Sequence, residues 1–465
     1  MMMIDENKRL QLPDYVLDVC HALHDGGYQS YVVGGALRDI LLNQPAKDFD
    51  VATDALPDEV ERLFRRAVPT GKAFGTITVI SQGQPVEVTT YRLEGRYSDM
   101  RRPDSVVYSG SLKEDLSRRD FTINALAYSP FEGRIRDYFN GIGDLGRGII
   151  RTVGDPGARF REDALRMLRA VRFAAVLGRR EHPFSIEEIT CNSIFEHHQL
   201  LSNISVERIR EEVNRILLAS RAPLRGFNDL YNTGLLKYVM PELVVGVNVV
   251  QPYHMGRTDV FRHNLLTACR ISPRLELRLA ALLHDVGKPY TQTAFKGSVH
   301  FYGHDEFSAR LAGRMLSHLR YPNAVTALVV HLIKHHMEIA HLDIGNDAAL
   351  RRLFRKVGER HMDDLLELHR ADLLTGMPPR AAMRRYLEMK RWISKLRESA
   401  SIFKLSDLAV DGHDIMAHLG IGPGREVGAI LERCHDMVLE NPALNTRGKL
   451  LEIAEELYDQ FHRIA

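Results

Sequence analysis

Two aspartates one residue apart, Asp48-Phe49-Asp50, follow shortly after Gly34-Gly35-Ala36-Leu37-Arg38-Asp39, and this pairing constrains the chain more than any other feature. Tyr31-Val32-Val33 reads as a short apolar strand. Gly34-Gly35 reads as a turn whose backbone can approach a ligand closely. Ala36 to Leu42 reads as a short helix that Pro45-Ala46-Lys47 ends. Asp48-Phe49-Asp50-Val51-Ala52 then reads as a returning strand. Side chains alternate along a strand, so Asp48 and Asp50 are expected on one face and Phe49 on the other. Two close carboxylates repel unless a cation lies between them. Mg²⁺ suits such a site, because it is held by one or two carboxylates plus substrate phosphates. Glycine amides and a helix start beside it can hold phosphate oxygens. The combination points to nucleoside triphosphates and phosphoryl or nucleotidyl transfer. A lone Asp-x-Asp is common; the convergence of strand, turn, helix and strand gives this one its weight.

With 465 residues, 45% of them hydrophobic, the chain is long enough for two to four domains. A net charge of +2 means that any nucleic-acid surface must be local. Cys20, Cys191, Cys269 and Cys434 form no CxxC pair. That fits a reduced cytoplasmic compartment rather than a disulfide scaffold or cysteine zinc site. Met1 to Arg9 is charged and lacks the apolar core of a signal peptide. Apolar runs such as Val325 to Ile333 are too short to span a bilayer, so no membrane partner is expected.

From Leu12 to about Gly148 helix and strand patterns mix. Leu12–His24 and Pro57–Arg66 read as helices. Phe74–Ser81 and Pro85–Arg92 read as a hairpin turning at Gln82-Gly83-Gln84, and Phe121–Tyr128 and Ile135–Tyr138 as strands. The sum is a small mixed sheet with helices on one side. After Arg151 apolar residues recur at three- and four-residue spacing, which predicts helices over Glu162–Val176, Ile186–Glu196, Val206–Leu218 and Ala222–Thr233. His254 to Leu374 is a helical block rich in histidine. Pro378-Pro379 breaks it before Arg380–Arg397 and a last helical block from Ser406.

Further clusters carry chemistry. Glu94 to Asp104 is charged, holds Gly and Pro, and reads as a surface loop beside the sheet. Arg118-Arg119-Asp120 offers two guanidiniums and a carboxylate, which suit a triphosphate and a ribose hydroxyl; a surface salt-bridge cluster is the alternative. Asp163, Arg166, Arg169 and Arg172 recur every three residues and would form one polar stripe on a helix, opposite Leu165, Leu168 and Val171. Aspartate acceptors and an arginine fork match the hydrogen-bonding edge of a nucleobase. In the histidine-rich block, His263, His284-Asp285, His304, His335 and Asp372 suit a divalent transition metal with open positions for water.

Gly34-Gly35-x-x-Arg38-Asp39…Asp48-x-Asp50, Arg118-Arg119-Asp120 and Glu162-Asp163-x-x-Arg166 together resemble the signatures of class II CCA-adding tRNA nucleotidyltransferases. These belong to the polymerase-β-like superfamily, which includes bacterial poly(A) polymerases. Specific motifs span roughly Tyr28 to Leu218. Gly412-His413-Asp414-Ile415-Met416 and Gly422-Pro423-Gly424-Arg425 resemble tail segments of the family. His263…His284-Asp285…Asp372 separately resembles the HD phosphohydrolase superfamily.

The resemblance implies an α+β fold. A nucleotidyltransferase head over 12–148 would precede a helical neck over 149–245, an HD-type body over 246–376 and a tRNA-binding tail over 377–465. It implies template-independent addition of C, C and A to tRNA lacking its 3′ CCA, from CTP and ATP. Asp48 and Asp50 would be catalytic and bind Mg²⁺, with Glu87 a third acid. Gly35 and Arg38 would touch the nucleotide, and Arg119 and Asp120 would meet its triphosphate and ribose. Asp163 and Arg166 would read the base, with Arg169 and Arg172 in the same pocket. His263, His284, Asp285 and Asp372 would hold a second divalent transition metal. The Glu94–Asp104 loop disfavours CC-only addition and leaves A-only addition open. Thr70-Gly71-Lys72-Ala73-Phe74-Gly75-Thr76 looks like the CCA branch rather than the poly(A) branch. The alternative of another class is an HD phosphohydrolase whose head binds RNA.

Overall fold

The structure is a computed structural model and describes residues 9–94, 106–178, 181–218, 223–251, 258–295, 298–398 and 404–463. The chain forms two compact units, Met1–Pro241 and Glu242–Ala465.

In the first unit, α1 (Asp14–Asp25), β1 (Ser30–Val33), α2 (Gly35–Leu41), β2 (Asp50–Thr53) and α3 (Pro57–Leu63) lead into β3 (Ala67–Gly71), β4 (Thr76–Ser81) and β5 (Gln84–Thr90). β6 (Arg92–Glu94) and β7 (Val106–Tyr108) pair as a separate ribbon. They flank the expected loop over Glu94–Asp104, of which residues 95–104 lie outside the described residues. α4 (Leu112–Ser117), β8 (Leu126–Ser129) and β9 (Arg134–Asp137) complete the sheet region. The strand order is β3-β4-β5-β2-β1-β8-β9. β2 and β5 run parallel while their neighbours pair antiparallel, so the sheet is mixed, as the sequence implies. The β4–β5 turn needs only Gln82 and Gly83, both at positive φ, the geometry that matches strand twist in a two-residue hairpin.

Alternation decides what each face of the sheet carries. Val32, Val51, Ile77, Val79, Val86 and Val88 bury one face against Val16, Val19, Cys20 and Leu23 of α1. Those four helix residues recur at three- and four-residue spacing, which is why Leu12–His24 was legible as a helix. The opposite face therefore receives Asp50 and Glu87, with Val33 and Ala52 packed among Tyr91, Leu112, Leu116 and Ala127. This second face is covered in part by α4, so helices are not confined to one side. A further correction concerns Phe121–Tyr128: Thr122–Asn124 is a 3₁₀ turn, and only Leu126–Ser129 is strand.

The rest of this unit is helical. α5 (Gly141–Arg147) precedes β10 (Ile149–Ile150), which pairs parallel with β11 (Ser185–Ile186). α6 (Pro156–Glu162) is unexpected, whereas α7 (Leu165–Leu177), α8 (Glu188–His197), α9 (Val206–Leu218) and α10 (Pro223–Asn232) follow the expected pattern; short α11 (Leu236–Val239) comes after them, and α12 (Pro241–Val245) begins at the last residue of the unit. The expected continuous helix over Glu162–Val176 is broken at Asp163, which is extended (φ −144°, ψ 103°). Its carboxylate accepts the Leu165 N–H at 3.0 Å, the competition with helical backbone typical of aspartate.

The second unit is a helical array. α13 (Val260–Arg270), α14 (Leu275–Leu283), α15 (Lys288–Thr291) and the hairpin of β12 (Gln292–Phe295) and β13 (Ser298–Phe301) precede α16 (His304–His318) and α17 (Asn323–Ala340). α18 (Asp347–Val357), α19 (Glu359–Gly376) and α20 (Pro379–Glu398) continue it. α21 (Gly412–Leu419), α22 (Arg425–Glu440) and α23 (Arg447–Arg463) share a small core that includes Ile415, Ile430 and Cys434. Among the described residues, no helix is long and apolar enough to cross a membrane.

Burial pushes the Cys20 thiol up to about 12 and the Cys434 thiol up to about 11. The thiolate is the reactive form. Iodoacetamide at pH 8 is therefore expected to spare both residues in the native protein and to modify both in denaturant. Ready native labelling of either would contradict the packing.

Candidate active site

The acidic centre is built by strand register. Asp50 opens β2, with Val33 of β1 on one side and Glu87 of β5 on the other. Adjacent strands lie about 4.8 Å apart, so Asp50 and Glu87 are neighbours on one face. Burial pushes the Asp50 carboxyl up to about 6, and the charges of Glu87 and Asp48 push the same way, against the pull of Arg119. A carboxylate in this state is short of positive charge. Asp48 reaches the centre by a route other than strand alternation. It precedes β2, is exposed, and has φ +53°, in the left-handed region. Phe49 between them is buried in the core, edge-on to Tyr15.

Gly34 closes the floor beneath Asp50. Its φ is +79°, and a Cβ there would lie 2.9 Å from Asp50 Oδ2 and 3.3 Å from an Arg119 guanidinium nitrogen. Only glycine meets both demands.

A hydrogen-bonded chain ties the motifs together. Arg38 pairs with Asp39 at 2.7 Å and donates to Asn124 Oδ1 at 2.8 Å. Asn124 donates to Asp120 Oδ1 at 3.0 Å, which also accepts the Phe121 N–H. Arg169 donates twice to Asp120 Oδ2, at 2.8 and 2.6 Å. All four acceptor positions of Asp120 are thus filled from within the chain. Although burial opposes it, Arg169 and Asn124 hold the Asp120 carboxyl down at about 2. Sequence reasoning missed Asn124, because the 3₁₀ turn that aims it was read as strand.

Asp163 accepts from Leu165 N and pairs with Arg208 at 2.8 Å. Arg166 pairs with Glu162 at 2.6 Å and donates to the carbonyls of Arg159 and Arg118. Both side chains keep unused hydrogen-bonding positions. Arg172 pairs with buried Glu212 at 2.5 Å. Sequence reasoning also missed Arg208 and Glu212. Nothing local marks Arg208, whose partner lies far along the chain. Glu212 was detectable, as a carboxylate among the buried Ile209, Val213 and Ile216 of α9.

Two cavities of about 750 and 490 Å³ share Thr76, Glu87, Arg92, Arg118, Arg119, Asp120 and Arg169 as lining. The smaller reaches Gly34, Gly35, Arg38, Asp50 and Arg172, and the larger reaches Asp163, Arg166 and Arg208. The acidic centre and the Asp163–Arg166 pair therefore border one continuous basin. Its arginines suit phosphates, its carboxylates a divalent cation, and its far end a planar hydrogen-bonding partner.

In the second unit, His263, His284, Asp285 and Asp372 converge. His263 Nε2 lies 3.2 Å from His284 Nε2, 3.5 Å from Asp285 Oδ2 and 3.0 Å from Asp372 Oδ1. Burial opposes ionisation of Asp285, yet the charges of His284 and Lys288 hold it well below the usual carboxylate range. His304 also joins this cluster. The expected His335 does not: its ring bonds Glu338 at 2.8 Å, and it is His336, one residue on, that faces Asp285. A helix turns about 100° per residue, so adjacent histidines point to different sides.

Residues 30–151 match the family described as "Poly A polymerase head domain". Residues 183–245 match "Probable RNA and SrmB- binding site of polymerase A", and residues 305–454 match "tRNA nucleotidyltransferase domain 2 putative". A CCA-adding enzyme of Lactobacillus helveticus is 34% identical over 96% of this chain and 98% of its own length. One from Lactobacillus delbrueckii subsp. bulgaricus is 48% identical, over 47% of this chain; that match spans about half (54%) of the relative. Among solved structures, the Bacillus stearothermophilus CCA-adding enzyme in complex with CTP is similar at TM-score 0.67 and 28% identity, covering 98% of this chain and all (100%) of that one. The Thermotoga maritima CCA-adding enzyme complexed with tRNA shares the fold at TM-score 0.59 and 20% identity, over 96% of each chain.

Gly34→Ala places a Cβ against Asp50 and Arg119, in a backbone region (φ 79°, ψ −147°) that costs a side chain about 1–3 kcal/mol. The variant is expected to unfold a few degrees lower and to bind a labelled nucleoside triphosphate at least ~10-fold more weakly. Calorimetry and filter binding test this, and unchanged affinity would contradict the close approach.

Proposed function

Since this chain belongs to the family of CCA-adding enzymes, we propose that it adds C, C and then A, without a nucleic-acid template, to tRNA lacking its 3′ CCA. CTP and ATP are the substrates and pyrophosphate leaves. The observation that carries this reading is the single basin with Asp50 at one end, Asp163 and Arg166 at the other, and Glu87 on the wall common to both. The Bacillus stearothermophilus structure with CTP supports it.

The side chains divide the work. Asp48 and Asp50 hold Mg²⁺, with Glu87 as the adjoining acid; burial above all, and then the charges of Glu87 and Asp48, push the Asp50 carboxyl up, and a divalent cation there offsets both. Bound there, Mg²⁺ supplies Lewis-acid activation of the tRNA 3′-hydroxyl and neutralises the triphosphate. Arg119, beside Asp50, binds triphosphate oxygens. Gly35 and Arg38 border the nucleotide where the backbone comes close. Asp120 aims Arg169 into the basin and Arg172 braces the wall through Glu212. Asp163, held by Arg208, and Arg166, held by Glu162, present acceptors and donors to the base edge. Because these contacts are fixed side chains, selection between C and A is protein-directed.

The helical residues 149–245 and 377–465 take the tRNA. Recognition rests on the shape and backbone of the acceptor–TΨC arm, so binding weakens with salt. The body over 246–376 holds a divalent transition metal between His263, His284, Asp285 and Asp372, whose nitrogen and oxygen donors suit such an ion.

Incorporation of labelled CTP and ATP, singly and together, into tRNAs ending before CCA, after C and after CC tests the function. Addition of C, C and A that then stops is expected. A alone on the CC-ended tRNA would make the enzyme an A-adding specialist, and a long A tail would make it a poly(A) polymerase. Arg166→Ala is expected to lower discrimination of CTP over UTP by roughly 10-fold or more, the worth of a good base contact, with triphosphate affinity less affected. Unchanged selectivity would remove Arg166 from base reading.

A further inference from the structure

We propose, on the reading that the basin holds a triphosphate, that Asp144 is a positioning residue for nucleotide binding. It acts through the hydroxyl of Thr122, which fixes the 3₁₀ turn that aims Asn124 at Arg38 and Asp120.

Asn124 lines the smaller cavity and joins its two sides. Its Oδ1 accepts from Arg38 and its Nδ2 donates to Asp120, so a tilt of the amide shifts both partners. Asp120 in turn orients Arg169. The amide is carried by a turn of three residues, Thr122–Asn124. Hydrogen bonds in a 3₁₀ turn have poorer geometry than those of an α-helix, so a turn this short needs support from outside.

That support converges on Thr122. Its N–H donates to the Arg151 carbonyl at 2.9 Å, and its hydroxyl donates to Asp144 Oδ2 at 2.8 Å. Its own carbonyl accepts the Ala125 N–H at 3.0 Å, which closes the turn. The start of α5 is packed onto that carbonyl: a Cβ at Gly141 would lie 2.2 Å from the Thr122 oxygen. Asp137 holds α5 in place by accepting the N–H groups of Gly141 and Ile142 at 2.8 and 2.9 Å. Asp144 follows Gly141 by three residues, close to one helical turn.

Asp144 is fully buried, and its two oxygens are shared out. Oδ1 accepts from Arg147 at 2.8 Å, and Oδ2 accepts from Arg151 Nε at 3.0 Å besides Thr122. Taking a carboxylate out of water costs about as much as such pairs return, so stability alone leaves the burial of Asp144 unexplained. What the carboxylate adds to the site is the bond to Thr122, the residue whose carbonyl closes the turn. Any displacement of Thr122 passes to Asn124, two residues on in the same turn, and from there to Arg38 on one side of the basin and Asp120 on the other.

Thr122→Val keeps the outline of the side chain and removes its hydroxyl. In the full chain it is expected to raise the Kd of labelled CTP and ATP alike by about 3- to 10-fold, the worth of one hydrogen bond. KM for both nucleotides in tRNA end addition rises with it, and selectivity for CTP over UTP stays unchanged. Thr122→Ser is expected to restore both constants. Combined with Asn124→Ala, Thr122→Val is expected to add nothing further, because both act on one amide. Asp144→Asn, which weakens the bond at constant shape, is expected to raise Kd in the same direction and serves if Thr122→Val does not fold. A merely structural role would lower Tm and the apparent kcat through lost active protein while leaving Kd and KM where they are. That outcome, or full additivity with Asn124→Ala, would overturn this proposal alone. A parent chain that binds neither nucleotide would overturn the triphosphate reading together with it.

Discussion

Like charges held close together shape the first unit. Asp50 and Glu87 are neighbours because β2 and β5 run parallel in register, and Asp48 adds its charge from the turn before the strand. Such crowding costs stability by itself. It persists because the sheet beneath is fixed from its other face, where α1 buries the valines of β1, β2 and β5. The rigid side carries the core and the exposed side carries the chemistry. A cation recruited to this face brings the triphosphate with it, and the surrounding guanidiniums fix the direction of approach.

The arginines around the basin are not loose cations. Arg38, Arg169 and Arg172 are each tied to a carboxylate or amide of the chain, and Arg38, Arg169 and Arg172 all lie over the Phe173 ring, at 5.0, 5.3 and 4.1 Å. Tethered guanidiniums lose little freedom when they meet a ligand. Asp120 accounts for much of this order. It links the strand side of the basin, through Asn124 and Arg38, to the helix side, through Arg169.

Much of this was legible in the sequence because periodicity reports burial. The alternation around Val32, Val51, Val86 and Val88 and the helical spacing of Val16, Val19 and Leu23 gave strands and helix close to their observed bounds. What failed were residues whose side chains compete with the backbone. Asp163 breaks a helix that apolar spacing makes continuous, because its carboxylate takes a backbone N–H. Asp48 sits in the left-handed region rather than in the strand. Long-range partners were also hidden: Arg208 on Asp163 and Asn124 between Arg38 and Asp120 arise from tertiary packing and leave little local trace. Between His335 and His336, the phase of α17 relative to buried Val329, Leu332, Ile333 and Ile339 could have favoured neither, since both are largely buried; the contact with Asp285 decides.

The claim on which the functional reading turns is that one divalent cation sits at the aspartates while the base lies against Asp163 and Arg166. A crystal structure with CTP and Mn²⁺, with an anomalous-difference map at the manganese edge, addresses it directly. A manganese peak within bonding distance of Asp48 and Asp50, with the triphosphate against Arg119 and cytosine hydrogen-bonded to Asp163 and Arg166, is the predicted result. CTP bound with manganese away from both aspartates, or with cytosine remote from Asp163 and Arg166, would contradict it.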